Sequence, residues 1–318
     1  TGGLVVISHD VDLLADVVRR PDFEAAVVDR VRDQQISAIR AERSSPGGLG
    51  NNALYQTLYG GAYGRGPSGL GTIDAVTAAD RDDLIAFHSA WIRPDNARIY
   101  VVSDRPLAEI LPELESRFGD WTAPAVPRGT KAPVTINPAQ PRIILIDRPQ
   151  SPQSLILGGE VLSLAGADDR LVIGAGVEVL GSAFWSRINT DLRETRGWSY
   201  GSRSNISGLE GRSPYVINAP VQADRTGEAI ASLIAVHDTF LGDGGVTADE
   251  LSRVRASSTR RLAGMFEVSS AVLGALQSNQ LFGRSDTYWE QAGPRYEALT
   301  VDALNQAVRE AVDPSQFV

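Results

Sequence analysis

The segment Leu192-Arg193-Glu194-Thr195-Arg196-Gly197-Trp198-Ser199-Tyr200 joins the end of a predicted helix to the start of a predicted strand. Before it, apolar residues recur every four positions, at Leu180, Phe184, Ile188 and Leu192, and this spacing predicts a helix with one buried face. Gly197 stands just past the last turn, where a glycine commonly ends a helix. Tyr200 then opens an alternating, strand-like run. Arg193 and Tyr200 can therefore point into one space.

Arg193 and Tyr200, seven residues apart, are the candidate site residues. A guanidinium and a phenol that face one space can bind a carbonyl group or stabilise an oxyanion. A structural interpretation stays open beside this one. Arg193 would then only favour the helix C-terminus, and Tyr200 would belong to the core of the sheet.

Composition excludes several classes of protein. The chain has 318 residues, of which 42% are hydrophobic and 22% charged, as expected for about two globular domains. A net charge of -9 argues against a nucleic-acid binder. The absence of Cys excludes thiolate metal sites and a Cys nucleophile. No apolar run reaches the ~18 residues that predict a membrane span, and no signal peptide is visible at Thr1.

The chain repeats one plan. Asp29-Arg30-Val31-Arg32 returns as Ser252-Arg253-Val254-Arg255, and Leu58-Tyr59-Gly60 returns as Leu281-Phe282-Gly283. A proline-rich stretch separates the two copies. We therefore predict a first domain at 1–121, a linker at 122–141 and a second domain at 142–318. The first copy lacks its opening segment and the second its last strand, so we expect the natural product to be longer at both ends.

Each copy is predicted to be α+β, a mostly antiparallel sheet packed by helices. Helices are expected at about 22–44, 48–59, 80–92 and 106–117, and then at 167–195, 225–241, 247–280 and 300–312. Strands are expected at about 3–8, 97–103, 142–148, 153–160, 198–208 and 213–222.

The repeated plan, the proline linker and the segment from Ser186 to Tyr200 resemble the pitrilysin/insulinase family of zinc peptidases. The resemblance implies two homologous α+β domains that form half of a clamshell around a peptide chamber. In that family one half holds zinc through H-x-x-E-H and a distal Glu. The facing half supplies an Arg and a Tyr seven residues apart, which Arg193 and Tyr200 match.

The zinc motif itself is missing. His9, His88 and His237 are the only histidines, and no two of them have the H-x-x-E-H spacing. Ala38 stands where the helix of the first domain would carry a ligand. We expect no metal site in this chain, with zinc held by a homologous partner half. We also expect neither tight zinc binding nor peptide cleavage by this chain alone.

The resulting hypothesis is the non-zinc half of a two-unit zinc peptidase. Arg193 and Tyr200 would contribute to peptide binding and transition-state stabilisation at the partner's zinc. The alternative is a structural, assembly or peptide-binding unit of the same fold. The zinc half is either on the same polypeptide or on a separate subunit. We expect a peptide substrate, no nucleic acid, no membrane span and a periplasmic location, with the cytoplasm as the alternative.

Overall fold

The computed structural model describes residues 11–60, 69–131, 136, 139–166, 168–208 and 211–318. The expected strand at 3–8 and His9 lie outside them. The helices are α1 (Val11–Arg19), α2 (Ala25–Ser44), α3 (Pro46–Tyr59), α4 (Ile73–Ala78), α5 (Arg81–Trp91), α6 (Leu107–Phe118), α7 (Leu171–Val177), α8 (Arg187–Asn189), α9 (Thr226–Leu241), α10 (Ala248–Met265), α11 (Ser269–Leu281), α12 (Tyr288–Glu297) and α13 (Val301–Ala311). The strands are β1 (Gln153–Val161), β2 (Arg203–Ile206) and β3 (Pro214–Gln222).

The chain forms two compact units. One comprises Thr1–Ala41, Ser68–Val134 and Val268–Gln277, and the other comprises Glu42–Pro67, Thr135–Glu267 and Ser278–Val318. The domain bounds drawn from the sequence, at 1–121 and 142–318, stay a prediction.

The second unit is built on an antiparallel sheet with strand order β1-β3-β2. The register of β1 and β3 runs from Gln153 opposite Gln222 to Val161 opposite Pro214, and β2 pairs with the middle of β3. Helices pack against this sheet. The α+β fold expected from the sequence is confirmed.

Alternation along β3 gives the sheet two buried faces, because successive side chains of a strand point to opposite sides. On one side lies the main core, which α7, α9 and α13 cover. Its β3 members are Tyr215, Ile217, Ala219 and Val221. On the other side, Val216 packs with Leu54, Leu58 and Tyr59 of α3. Each fully buried aliphatic side chain of this kind stabilises the fold by about 1.5–3 kcal/mol.

In the first unit, the described residues form helices and extended chain. The guanidinium of Arg32 in α2 donates to the Ala79 carbonyl at 2.9 Å, and Arg19 in α1 pairs with Asp120 at 2.8 Å. No described residue of this unit lies in a β-strand.

Two expected strands, at 97–103 and 142–148, are wrong, because these residues form no ladder. Alternating apolar residues predict a strand, but a strand also needs a partner to take up its backbone hydrogen bonds. Ile143 and Leu145 are 83% and 87% exposed. The helix expected at 247–280 is divided into α10 and α11, since the Phe266 N–H bonds the Gly264 carbonyl and ends α10.

One stretch of successive helical segments, Leu171–Thr195, is long and apolar enough to cross a membrane by length and composition. More than half of its most apolar window, 56%, is buried inside the protein. A single match of this kind is equally typical of a core helix, and these residues supply much of the main core.

Candidate functional site

Two π-helical turns, Glu178–Ser182 and Thr190–Thr195, lie on either side of α8. Arg193 lies in the second turn, and Tyr200 follows it. The expectation of one unbroken helix over 167–195 is wrong. Residues 183–186 leave the helix, and the Ser186 hydroxyl accepts the N–H of Asn189 at 3.5 Å and caps α8. π-turns inside helices occur often at functional sites.

Phe184 does not lie on the buried helix face where the four-residue spacing places it. Leu180, Ile188 and Leu192 are at most 1% exposed, as the spacing predicts, but Phe184 is 64% exposed. The break before Ser186 interrupts the helical phase, so Phe184 turns away from the core.

The helix ends as the sequence predicts. Gly197 has φ of +67°, a left-handed conformation that favours glycine. Its N–H donates to the Arg193 carbonyl at 3.2 Å, and the Trp198 N–H donates to the Leu192 carbonyl at 2.9 Å. These two bonds take up carbonyl groups of the last turn and aim the chain toward Tyr200.

Tyr200 lies in a bend before β2, and the expectation that it opens a strand is wrong. The Ser199 hydroxyl accepts the N–H of Gly201 at 3.1 Å and the hydroxyl of Ser202 at 3.0 Å. Such local side-chain bonds compete with strand pairing, so the ladder starts only at Arg203. The Tyr200 side chain is 89% exposed, which excludes it from the sheet core.

The structure brings the two predicted residues together and adds a third. The guanidinium carbon of Arg193 lies 5.8 Å from the centroid of the Tyr200 ring and 4.4 Å from that of the Phe184 ring. Both contacts are within cation–π range, which contributes about 0.5–1 kcal/mol at exposed sites. Phe184 was missed as a site residue because its four-residue spacing matched a buried face.

Arg193 also forms an ion pair with its neighbour. Its Nη1 lies 3.1 Å from Oε1 of Glu194, whose side chain is 60% exposed. Nη1 is buried and makes no hydrogen bond of acceptable geometry, so the contact is mainly Coulombic. Because the Glu194 carboxylate itself is largely exposed, the pair is screened by solvent and contributes only about 0–1 kcal/mol, so an incoming acceptor can displace Glu194 at little cost.

Two other arginines close to these turns are engaged in structural contacts. Arg196 lies over the Trp198 ring at 4.7 Å and pairs with Asp191 at 3.0 Å. Arg187 makes a two-point contact with Glu250 at 2.6 and 2.8 Å. Burial would raise the pKa of Glu250, but hydrogen bonds from Arg187 and Thr247 outweigh it and lower that pKa.

The described residues do not fit a zinc site. They contain no group of three or more His, Cys, Asp or Glu placed to hold a metal. The His88 ring bonds the Val18 carbonyl at 2.8 Å. His237 is fully buried between the Tyr215 hydroxyl at 2.8 Å and the Leu233 carbonyl at 2.7 Å, so both its ring nitrogens have structural partners.

Comparison with known proteins gives a family match over residues 78–258, to the peptidase M16 inactive domain. Arg193 and Tyr200 both fall inside this region. An uncharacterized zinc protease of Mycobacterium tuberculosis is 24% identical over 306 residues, a match that covers 94% of this chain and 68% of that protein.

Solved structures share the fold. The peptidase M16 inactive domain from Pseudomonas fluorescens superposes with a TM-score of 0.83 at 22% identity, over 96% of this chain and 72% of that one. The periplasmic protease PqqL from Escherichia coli gives a TM-score of 0.71 at 13% identity, over 93% of this chain and 33% of that one. With a family model that matches more than half of its length, the chain belongs to the pitrilysin/insulinase family of zinc peptidases, as a peptidase M16 inactive domain.

Proposed function

We propose that this chain is the non-zinc half of a two-unit zinc peptidase and that Arg193 and Tyr200 act on the peptide at a zinc held by the other half. The observation that carries the proposal is the shared surface of these two side chains, with the Arg193 guanidinium 5.8 Å from the ring of the exposed Tyr200. Family membership supports the same assignment.

The chemistry follows from the two donors. A guanidinium keeps its charge at any working pH and offers five N–H groups, while the phenol offers one O–H. When a peptide carbonyl becomes tetrahedral, its oxygen gains negative charge. Donors already aimed at that oxygen stabilise the transition state more than the ground state. Arg193 would also hold the peptide before reaction.

The backbone around these donors supports a preorganised site. The Leu192 carbonyl accepts both the Trp198 N–H and the Ser199 N–H, at 2.9 and 3.2 Å, so the chain between Arg193 and Tyr200 is tied to the helix end. The Trp198 carbonyl accepts the N–H of Gln222 at 3.0 Å, which ties the same turn to β3.

The partner in this proposal is a homologous half, on the same polypeptide or on a separate subunit, and the substrate is a peptide. Zinc, when bound by that partner, supplies the Lewis acid and the activated water. The likeness to a periplasmic protease favours the periplasm as the location, with the cytoplasm as the alternative.

The test is peptide hydrolysis by the assembled two-half enzyme. Arg193→Ala and Tyr200→Phe should each lower kcat/KM on the order of 100-fold, the usual effect of losing one oxyanion donor. Melting temperatures should stay near that of the unchanged chain, because Tyr200 is exposed and its substitution removes only a hydroxyl.

Matched controls are Arg225→Ala, which removes an exposed guanidinium paired with Glu228 at 3.3 Å, and Tyr296→Phe, which removes a phenol hydroxyl elsewhere. Neither should change turnover. If the Arg193 and Tyr200 variants turn over like the unchanged enzyme and only melt earlier, these residues are structural. The chain would then be an assembly or peptide-binding unit.

A further inference from the structure

A buried amide connects the two sides of the site. Asn189 ends α8, lies one turn before Arg193 and is only 2% exposed. Its Nδ2 donates to the Phe184 carbonyl at 2.6 Å, and its Oδ1 accepts the N–H of Ser202 at 3.0 Å. The amide orientation is settled by chemistry, because a carbonyl only accepts and a backbone N–H only donates.

These two bonds reach the residues on both sides of the Arg193 guanidinium. Phe184 supplies the ring 4.4 Å from its central carbon, and Ser202 follows Tyr200 by two positions. We propose that Asn189 is the positioning residue of this site, and that its side-chain amide holds Phe184 and Tyr200 in place around Arg193. This inference rests on the proposed function of Arg193 and Tyr200.

The other hydrogen bonds described for the Tyr200 bend do not reach the segment that carries Phe184. The Ser199 hydroxyl bonds Gly201 and Ser202 within the bend, and the Trp198 carbonyl ties its start to β3. The Asn189 amide connects the far end of the bend to the segment that carries Phe184. Loss of this amide would therefore loosen the placement of both Phe184 and Tyr200 beside the guanidinium.

Asn189 is only 2% exposed, which shields its amide from a peptide at the surface, so its effect on rate comes through geometry. An error of about 1 Å in the placement of catalytic donors can cost 100-fold in rate. Loss of the Asn189 side-chain hydrogen bonds leaves the other bonds of the bend in place, so the loss in rate should be smaller than that. We expect kcat to fall about tenfold with a smaller change in KM, because transition-state contacts depend most strongly on placement.

The first measurement needs no catalysis. Fluorotyrosine is placed at position 200 of the full chain, and its fluorine resonance is followed in Asn189→Ala and in the control Asn279→Ala. Asn279 is also a buried amide, 6% exposed, on α11. The resonance should shift or broaden in Asn189→Ala and stay unchanged in Asn279→Ala. An unchanged resonance in Asn189→Ala overturns the proposal.

The second measurement is a double-mutant cycle on the assembled enzyme. If Asn189 acts through Tyr200, Asn189→Ala should lower kcat about tenfold alone but less than about threefold in the Tyr200→Phe background, since coupled residues are non-additive. Equal losses in both backgrounds mean that the residue acts elsewhere and contradict the proposal.

Asn189→Asp provides a variant of nearly the same shape if the alanine variant does not fold. Its carboxylate can accept the Ser202 N–H but repels the Phe184 carbonyl, whereas the protonated carboxyl can bond both. The ratio of unchanged to Asn189→Asp turnover should therefore shrink as pH falls from 8 toward 5, because burial raises the pKa of such a carboxyl. If Asn189→Asp is folded and this turnover ratio does not change with pH, the result contradicts the positioning role of Asn189. A shifted fluorine resonance together with full turnover in Tyr200→Phe would instead refute the proposed function and keep the positioning role.

Discussion

Glu160 makes stability of the second unit depend on pH in a direction unusual for a carboxylate. It stands in β1 opposite Tyr215 and is only 8% exposed. Its Oε1 accepts the N–H of Asp313 at 2.6 Å, and it lines a cavity of about 250 Å³ that Arg212 also lines. Burial raises the pKa of Glu160 to about 7, against the opposing effects of the Asp313 N–H and the Arg212 charge.

The direction of this pH dependence follows from the number of protons that the folded and unfolded chains bind. Between the unfolded pKa of 4.5 and the folded pKa of about 7, the folded chain binds more protons than the unfolded chain. The free energy of unfolding therefore falls as pH rises through this window and levels off above it. The difference of 7 − 4.5, about 2.5 pKa units, corresponds to about 3 kcal/mol in full, of which roughly 2.5 kcal/mol falls between pH 5 and pH 8.

The assay compares the unchanged chain with Glu160→Gln by urea unfolding at pH 5, 6, 7 and 8. Glutamine keeps an acceptor for the Asp313 N–H and cannot ionise. The stability of Glu160→Gln relative to the unchanged chain should rise by about 2.5 kcal/mol from pH 5 to pH 8. Taking this difference cancels contributions from other titrating groups such as His237. Parallel curves for the two chains over this range would refute the reasoning.

Two further predictions concern stability. Gly159→Ala should lower the free energy of unfolding by about 3 kcal/mol, because the φ of Gly159 is +152° and a Cβ there would collide with the Tyr215 carbonyl. Gly174→Ala, in open space on α7, is the control and should be neutral or stabilising in the same urea unfolding assay. Equal unfolding midpoints for the two variants would contradict this prediction. Glu250→Gln should cost about 1–2 kcal/mol at pH 7, since it leaves the half-buried Arg187 without its carboxylate. That cost should shrink as pH falls below 4.5, because Glu250 of the unfolded chain binds a proton there while the lowered pKa keeps folded Glu250 ionised to a lower pH. A constant cost would show that charge is not the cause.

The sequence alone placed Arg193 and Tyr200 on one surface, because helix phase and a stop glycine are local properties. Gly197 adopts the left-handed conformation that ends the helix, and the seven-residue spacing then brings the phenol back to the guanidinium. The same local reasoning missed Phe184. It continued a four-residue spacing across a break that the Ser186 cap makes.

That break depends on contacts between distant parts of the chain. A Cβ at Gly181 would collide with Ser204, so the first π-turn approaches β2 closely, and the Ser182 hydroxyl donates to the Ser204 carbonyl at 2.7 Å. Strand pairing also depends on contacts between distant parts of the chain. The apolar alternation around Ile143 and Leu145 was visible, but which residues would pair with them was not.

The outward placement of Phe184 on an otherwise buried helical face has a practical consequence for engineering. Phe184 and Tyr200 are exposed, while Ile188 and Leu192 of the neighbouring helical turns are fully or almost fully buried. A combinatorial library over Phe184 and Tyr200 would keep most members folded and vary the surface that a peptide meets, since surface substitutions usually change stability by less than about 0.5 kcal/mol. The same library at Ile188 and Leu192 would mainly sample unfolded chains.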